Sequence, residues 1–266
     1  MVKIKNNLAI FTSGHIENIP IVFVHGFPFD HNMWYNQIEE LSKEYFCVSY
    51  DIRGLGESPA GDGQFTMEMF VDDVMDIIEV LDLKMPIICG LSMGGYIALR
   101  AMERFENKLS AAILCNTKSA ADNDGAKLNR AEGIKKINEL GAKKFVADFV
   151  PNCFANESLS KSFYEETLRR SLKSSAIGLK GCLLAMAGRT DTTEYLSKIK
   201  IPVLIICGEK DKLFQPHVMK EMADKISGSE FQIISGAGHI SPLENSDAFN
   251  KAIKNFLLKS IVVKRS

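Results

Sequence analysis

The chain lacks the features that mark several large classes of protein. No apolar run in its 266 residues approaches the ~18 residues that a membrane span needs, and the N-terminal segment has no apolar core typical of a signal peptide. Its formal net charge is −1, so no basic face for nucleic acid is indicated. It contains no metal-ligand cluster, phosphate-binding glycine loop or dinucleotide fingerprint. We therefore expect a cytoplasmic monomer or homodimer that has no cofactor, no bound metal, and neither a membrane nor a nucleic acid as partner.

Six cysteines are present, but none forms a C-x-x-C pair. Four of them, Cys47, Cys89, Cys115 and Cys207, stand in short apolar runs typical of strands. Cysteine in such a run behaves as a small apolar side chain, and disulfides are rare in reducing compartments. We expect buried, reduced thiols.

Short apolar runs alternate along the chain with segments of helical periodicity. The runs 21–24 and 203–207 are apolar at every position, which is typical of central parallel strands buried on both faces. Strands are predicted at 8–12, 19–24, 45–50, 86–90, 110–115, 202–207 and 230–234. Helices between them are predicted at 33–41, 66–82, 94–105, 215–225 and 245–258. The alternation predicts an α/β fold with helices on both faces of a parallel sheet.

The strand signals disappear between residues 118 and 188. Helical stretches replace them, at 126–140, 142–149, 159–172 and 175–187. We interpret 118–188 as a helical cap inserted into a core domain formed by 1–117 and 189–266. Its apolar side chains could line a pocket or only pack together; the candidates are Phe145, Phe149, Phe154, Phe163 and Met186.

The cap also differs from the rest of the chain in charge. Residues 118–190 contain 13 Lys and Arg against 8 Asp and Glu, a net charge of +5, which leaves −6 for the remainder. A positive cap could steer anionic substrates, but ordinary solvated helix faces explain the same composition.

The motif Gly90-Leu91-Ser92-Met93-Gly94 lies between a predicted strand and a predicted helix. In that context G-x-S-x-G is typical of a nucleophile elbow, a turn so sharp that only glycines flanking the serine let the backbones pass. The start of the following helix also favours negative charge that develops beside it. We predict that Ser92 is a catalytic nucleophile.

A serine hydroxyl is a weak nucleophile unless a base removes its proton. Among five histidines, His239 follows the last predicted strand on a loop of small residues, at the sheet edge where the elbow also lies. Asp211 follows the strand at 202–207, and its carboxylate could orient the imidazole and stabilise its charged form. We predict a triad of Ser92, Asp211 and His239, with Glu209 as a competing acid.

The reaction also needs donors for a developing oxyanion. The N–H of Met93, directly after the serine, is one candidate, and the N–H of Phe27, in the loop after an early strand, is the other. Each such donor is typically worth ~3 kcal/mol in the transition state. His25 is expected to brace that loop.

Other charged groups have structural interpretations. Asp51 and Arg53 lie in a glycine-flanked turn, and we expect them to form a bracing ion pair. Arg189, where the cap rejoins the core, is expected to close the hinge, with binding of a substrate carboxylate as the alternative.

These motifs together resemble the α/β-hydrolase superfamily over nearly the whole chain. The matching segments are 25–28, 51–58, 90–95, 208–211 and 236–239. The resemblance implies the α/β-hydrolase fold, with a mostly parallel, twisted, eight-stranded sheet flanked by helices and an inserted cap. Within the superfamily, segments 27–34 and 186–191 resemble small carboxylesterases, 3-oxoadipate enol-lactonases and cofactor-free haloperoxidases.

Three functions are consistent with these residues. The first is a serine hydrolase that cleaves a small carboxylic ester or lactone through an acyl-enzyme. The second uses the same triad as a C–C bond hydrolase or a perhydrolase. The third, of another class, is a small-molecule receptor or regulatory protein on the same fold. A carboxylate nucleophile of the dehalogenase kind is disfavoured because position 92 is serine.

Overall fold

The computed structural model describes residues 2–3 and 7–265, with side chains from residue 7 to residue 260. Within this part of the chain, eight strands form one sheet in the spatial order β1-β2-β4-β3-β5-β6-β7-β8. The strands are β1 Val2–Lys3, β2 Ala9–Ser13, β3 Pro20–Val24, β4 Phe46–Tyr50, β5 Ile87–Leu91, β6 Ala111–Cys115, β7 Val203–Gly208 and β8 Glu230–Ile234. The pairs β1–β2 and β2–β4 are antiparallel, and all other neighbouring strands are parallel. The predicted mostly parallel, eight-stranded sheet is confirmed.

Helices connect the strands and flank the sheet. They are α1 Tyr35–Leu41, α2 Met67–Val80, α3 Met93–Phe105, α4 Asp124–Leu140, α5 Ala142–Phe149, α6 Ser162–Ser171, α7 Ala176–Ala187, α8 Pro216–Asp224, α9 Ser241–Glu244 and α10 Ser246–Arg265. Thr66 caps α2, since its side chain accepts a hydrogen bond from the Met69 N–H. No helix in the described part of the chain is long and apolar enough to cross a membrane.

Burial along the central strands explains why the sequence predicts them so closely. Every residue of β3 to β7 is buried, as expected for strands covered on both faces. Each of the seven strands predicted from apolar runs lies within one residue of its observed ends. The six cysteines, all in the described part of the chain, are unpaired and buried, as expected.

The segment between β6 and β7 contains four α-helices, three short 3-10 helices and no strand among its described residues. Helix α4 packs against both α5 and α7. Because β5, β7 and β8 run parallel, the loops that follow them emerge at one edge of the sheet. That edge holds Ser92, Asp211 and His239.

Candidate active site

Ser92 occupies a strained turn between β5 and α3. Its backbone has φ +56° and ψ −114°, a conformation that costs a non-glycine residue about 1–3 kcal/mol. A Cβ at Gly90 would stand 2.2 Å from the Gly94 carbonyl oxygen, and one at Gly94 would stand 2.1 Å from the Val24 carbonyl oxygen. Both positions therefore require glycine, as the motif predicts. The turn is also held by the Ser92 N–H, which donates to the Cys115 carbonyl at 2.9 Å.

The loops after β7 and β8 bring the predicted acid and base together. His239 Nδ1 lies 2.8 Å from Asp211 Oδ2, and both residues are buried. The other carboxylate oxygen, Oδ1, accepts from the N–H groups of Leu213 at 2.8 Å and Phe214 at 3.0 Å. With Nδ1 engaged by the carboxylate, Nε2 is the ring nitrogen left to accept a proton.

Several contacts keep Asp211 ionised. Burial disfavours its charged form, but the charge of His239 and the hydrogen bonds from His239, Asn116 and the Phe214 N–H outweigh burial. The pKa of Asp211 consequently lies below its ordinary value. An ionised carboxylate is what the neighbouring imidazole needs in order to be stabilised when it takes up a proton.

Asn116 is a site residue that the sequence analysis missed. Its side chain is fully buried directly after β6, where Nδ2 donates to Asp211 Oδ2 at 2.8 Å and Oδ1 accepts from Ser241 Oγ at 2.6 Å. The backbone has φ +45°, a left-handed conformation that asparagine tolerates better than most residues. The one feature of the sequence that could have identified Asn116 is its position directly after β6, the strand that pairs with β5.

The competing acid, Glu209, has a different role. Its carboxylate accepts from Ser235 Oγ at 3.0 Å and from the Gly236 N–H at 2.8 Å, on the exposed side of the β8 loop. Asp211, and not Glu209, contacts the imidazole of His239.

The loop of the predicted oxyanion donor lies against the serine. A Cβ at Gly26 would stand 3.4 Å from Ser92 Cβ and 3.0 Å from the Leu91 side chain. The Phe29 N–H donates to the Gly26 carbonyl at 3.0 Å, which closes a tight turn around Phe27. Met93, the other predicted donor, is buried at the first position of α3. Both predicted N–H donors therefore belong to segments adjoining Ser92.

His25 braces this loop, as predicted. Its ring is fully buried, with Nδ1 2.9 Å from the Gly26 carbonyl and Nε2 accepting from the Ile52 N–H at 2.9 Å. Burial lowers the pKa of this imidazole, so the neutral form that makes both hydrogen bonds is favoured.

The expected ion pair between Asp51 and Arg53 is wrong. Arg53 reaches α2 and pairs with Asp73 through two hydrogen bonds. Asp51 accepts from the N–H and Nδ1 of His31, at 2.7 and 2.8 Å, and from the Glu57 N–H at 2.8 Å. The two adjacent charges point to different elements, a choice that local spacing does not reveal.

A cavity of about 480 Å³ opens over Ser92. Phe27 lines it from the core, and its ring packs against those of Phe145 and Phe149. Of the five candidate pocket residues, Phe145, Phe149 and Met186 line the cavity. The other two, Phe154 and Phe163, instead stack on each other at 6.2 Å between ring centroids. Among the described residues, no group of three or more His, Cys, Asp or Glu side chains is arranged to hold a metal ion.

Arg189 fastens the two ends of the helical segment. One terminal nitrogen donates to Asp122 and to the Met186 carbonyl, and the other donates to the Ala120 carbonyl. Its guanidinium also lies 3.9 Å from the centroid of the Tyr96 ring. With both terminal nitrogens engaged, Arg189 has the contacts expected of a hinge clasp.

Glu244 ties the helical segment to the loop of His239. Its Oε1 accepts from the Gly238 N–H, while Oε2 accepts from the Ala155 N–H at 2.9 Å and from Ser158 Oγ at 2.6 Å. The N–H of His239 itself donates to the Cys153 carbonyl at 2.9 Å. The position of the imidazole is thus coupled to residues 153–158.

A serine on a strand–turn–helix elbow, at the carboxyl edge of a mostly parallel eight-stranded sheet, defines the α/β-hydrolase class. The chain belongs to the alpha/beta hydrolase fold family, whose model matches residues 19–246. It is accordingly an enzyme of the α/β-hydrolase type.

Similar proteins include esterases, lactonases and haloperoxidases. The structure of a thermophilic esterase from Thermogutta terrifontis, with malate bound, has a TM-score of 0.90 and 32% identity, covering 95% of this chain and 93% of that one. A 3-oxoadipate enol-lactonase of Acinetobacter baylyi is 30% identical over 252 residues, 92% of this chain and 91% of that protein. A non-heme chloroperoxidase of Kitasatospora aureofaciens is 26% identical over 275 residues, with 96% and 98% coverage.

Proposed function

We propose that the protein is a serine hydrolase that cleaves a small carboxylic ester or lactone through an acyl-enzyme, with Ser92, Asp211 and His239 as its triad. The observation that carries the proposal is the buried 2.8 Å contact between His239 and Asp211 at the sheet edge that also presents Ser92 on its elbow. Phe214 connects the His239–Asp211 pair to the cavity that contains Ser92. Its ring centroid lies 5.5 Å from that of His239, and the same residue lines the cavity.

Acylation follows from these positions. Ser92 Oγ attacks the carbonyl carbon while His239 Nε2 takes the hydroxyl proton, and Asp211 stabilises the resulting imidazolium. The N–H groups of Phe27 and Met93 donate to the oxyanion of the tetrahedral intermediate. When the intermediate collapses, the C–O bond to the alcohol breaks, and the imidazolium returns its proton to the leaving oxygen.

Deacylation repeats the same steps with water. His239 removes a proton from the water, whose oxygen attacks the acyl carbon. Collapse of the second intermediate breaks the bond to Ser92 Oγ, which recovers the proton from the imidazolium. The carboxylic acid leaves, and the free enzyme is restored. In a lactone the acid and the alcohol leave as one molecule.

Two further features support a small substrate enclosed by a cap. We assign residues 118–188 to a cap domain over a core of 1–117 and 189–266, because α4, α5 and α7 supply much of the cavity wall. A cavity of about 480 Å³ is within the usual range for a small-molecule site. The esterase and enol-lactonase among the similar proteins support ester and lactone substrates.

The test is replacement of the nucleophile. We expect Ser92→Ala to lower kcat for short p-nitrophenyl esters by about a thousandfold or more, since removing a triad serine leaves only residual catalysis. A fluorophosphonate probe should label the wild-type protein once, at Ser92, and leave the variant unlabelled. Ser162→Ala, at an exposed serine at the start of α6, is the matched control and should keep both properties. Full turnover by folded Ser92→Ala protein would exclude the proposal.

A further inference from the structure

Three cations share one carboxylate at the wall of the Ser92 cavity. Asp122 accepts from Arg130 Nε at 3.0 Å and from Arg189, and Lys118 Nζ lies 3.8 Å from the same carboxylate. Within the described residues, Asp122 is the only carboxylate at ion-pair distance from any of these three cations. The cluster therefore has more positive than negative charge.

This surplus charge is largely withdrawn from solvent. The exposed fractions of the side chains are 24% for Lys118 and 21% for Arg130, while Asp122 and Arg189 are almost completely buried. Burial and the nearby charge of Arg189 lower the pKa of Lys118, so its ammonium is incompletely compensated by the protein. Such a charge is stabilised when an anion binds beside it.

Of the two accessible cations, Lys118 lies near the residues of the proposed triad. Lys118 follows Thr117, whose hydroxyl donates to the Ser92 carbonyl at 2.9 Å. Its Nζ lies 5.9 Å from the centroid of the Phe214 ring, the same ring that contacts His239. Lys118 and Arg130 both line the cavity, whereas Arg189 does not and has its terminal nitrogens engaged.

We propose that Lys118 and Arg130 form a carboxylate subsite, so that the substrate is an ester or lactone bearing a second, free carboxylate. This rests on the proposed hydrolase function and narrows its substrate class. A guanidinium offers a planar pair of donors to a carboxylate, and the Lys118 ammonium, beside the other oxygen of Asp122, adds a point charge. The aromatic wall of Phe27, Phe145 and Phe149 then accommodates the apolar part of the substrate.

The test compares esters that differ only in this charge. In one series, the mono-p-nitrophenyl esters of succinate, glutarate and adipate are each compared with the same p-nitrophenyl ester in which the free carboxylate is methylated. In a second series, 4-carboxyphenyl butyrate is compared with the compound in which its carboxylate is methylated. The two series place the carboxylate on the acyl and on the alcohol side. In about 0.3 M NaCl, where distant charges are screened, we expect at least one anionic ester to exceed its neutral partner tenfold or more in kcat/KM.

Two single variants identify the subsite. Lys118→Met and Arg130→Met should each lower the ratio of kcat/KM for the anionic ester to that for its neutral partner at least fivefold, and either variant suffices if the other does not fold. Lys135→Met, at an exposed lysine of α4 that does not line the cavity, should keep the preference.

The outcomes separate the subsite from the activity. If wild-type protein hydrolyses charged and neutral esters equally in both series and requires Ser92, the subsite is wrong and the hydrolase proposal stands. A preference that survives both cavity variants also overturns the subsite. If no ester is hydrolysed in a Ser92-dependent manner, the proposed function fails and the subsite fails with it.

Discussion

Asn116 shows how one side chain can fix the geometry of a neighbouring carboxylate. Asp211 Oδ2 makes hydrogen bonds with both His239 Nδ1 and Asn116 Nδ2, each at 2.8 Å. Ser241 donates to the Asn116 carbonyl oxygen at 2.6 Å, which determines the orientation of the amide. The carboxylate is therefore held from the end of β6 as well as from its own loop.

We expect Asn116→Ala to lower kcat about 10- to 100-fold while KM changes less than about twofold, because the variant loosens the group that orients the imidazole without touching the cavity wall. The pKa of Asp211 should also rise toward its ordinary value, since a donor to its charged form is removed. The measurement is steady-state kinetics on a short ester, with thermal unfolding to confirm the fold. Ser241→Ala, which leaves the Asn116 amide in place, should cost much less. An equal rise in KM would show that Asn116 supports the cavity instead.

At the scale of residues, the sequence predicts identities better than partners. The proposed triad residues Ser92, Asp211 and His239 stand out in the sequence because each lies in the turn or loop after a predicted strand, at a sheet edge that parallel topology fixes. Asn116 was missed because its partner lies 95 residues away and is brought near by the pairing of β6 with β7. The partners of Asp51 and Arg53 were wrong for the same reason, since both bonds cross between elements.

At the scale of elements, buried polar contacts hold together the loops near the sheet edge that carries Ser92, Asp211 and His239. Asp51, directly after β4, accepts hydrogen bonds from the backbone N–H and the ring Nδ1 of His31 and from the Glu57 N–H. The imidazole of His31 also stacks on Phe11 of β2, with 3.5 Å between ring centroids. A single carboxylate thus joins the segment before α1 to the turn at 54–58.

The contribution of Asp51 to stability should depend on pH in a defined direction. Burial raises the pKa of Asp51, but the hydrogen bond and charge of His31 and the other donors outweigh burial, so its folded pKa lies below the ordinary value. The stabilisation is therefore complete above an ordinary pKa of about 3.9 and is lost as the pH falls toward the lower, folded pKa.

We expect Asp51→Asn to lower the free energy of unfolding by about 1–3 kcal/mol at pH 7, since an amide replaces an acceptor oxygen with a donor facing buried N–H groups. The difference from wild type should shrink as the pH is lowered below about 4, toward the lower, folded pKa. Urea unfolding at several pH values measures it, with exposed Asp62→Asn as the control. A difference that grows toward acidic pH would contradict the assigned direction.

The sequence predicts long helices and strands better than one-turn segments. Long apolar runs and helices of several turns carry a periodic signal, which is why the central strands and α2 to α5 are found close to their predicted positions. The one-turn helix α9 and the short 3-10 segments at 150–153 and 156–158 were not predicted, because so few residues show no period. These short pieces nevertheless carry the contacts that tie residues 153–158 to His239.

The charge distribution of the whole molecule acts at a longer range than the Lys118–Arg130 subsite. Residues 118–190 have a net charge of +5 and the remainder −6, and many of the lysines of the helical segment are exposed. Exposed charges act over about 30 Å at 0.01 M salt but only about 10 Å at 0.1 M, whereas half-buried charges are screened much less. Steering by the exposed lysines of the helical segment and binding by the subsite should therefore respond differently to salt.

We expect kcat/KM for the preferred anionic ester to fall about three- to tenfold between 0.01 and 0.3 M NaCl, while the neutral ester changes less than twofold. Replacing the exposed lysines Lys127, Lys135 and Lys143 with glutamine should lower the anionic value at low salt and leave it unchanged at 0.3 M. Lys118→Met should lower it at both concentrations, because its charge acts inside the cavity. If the triple variant is indistinguishable from wild type at 0.01 M, the positive charge of residues 118–190 has no steering role, and recognition of the carboxylate is confined to the subsite.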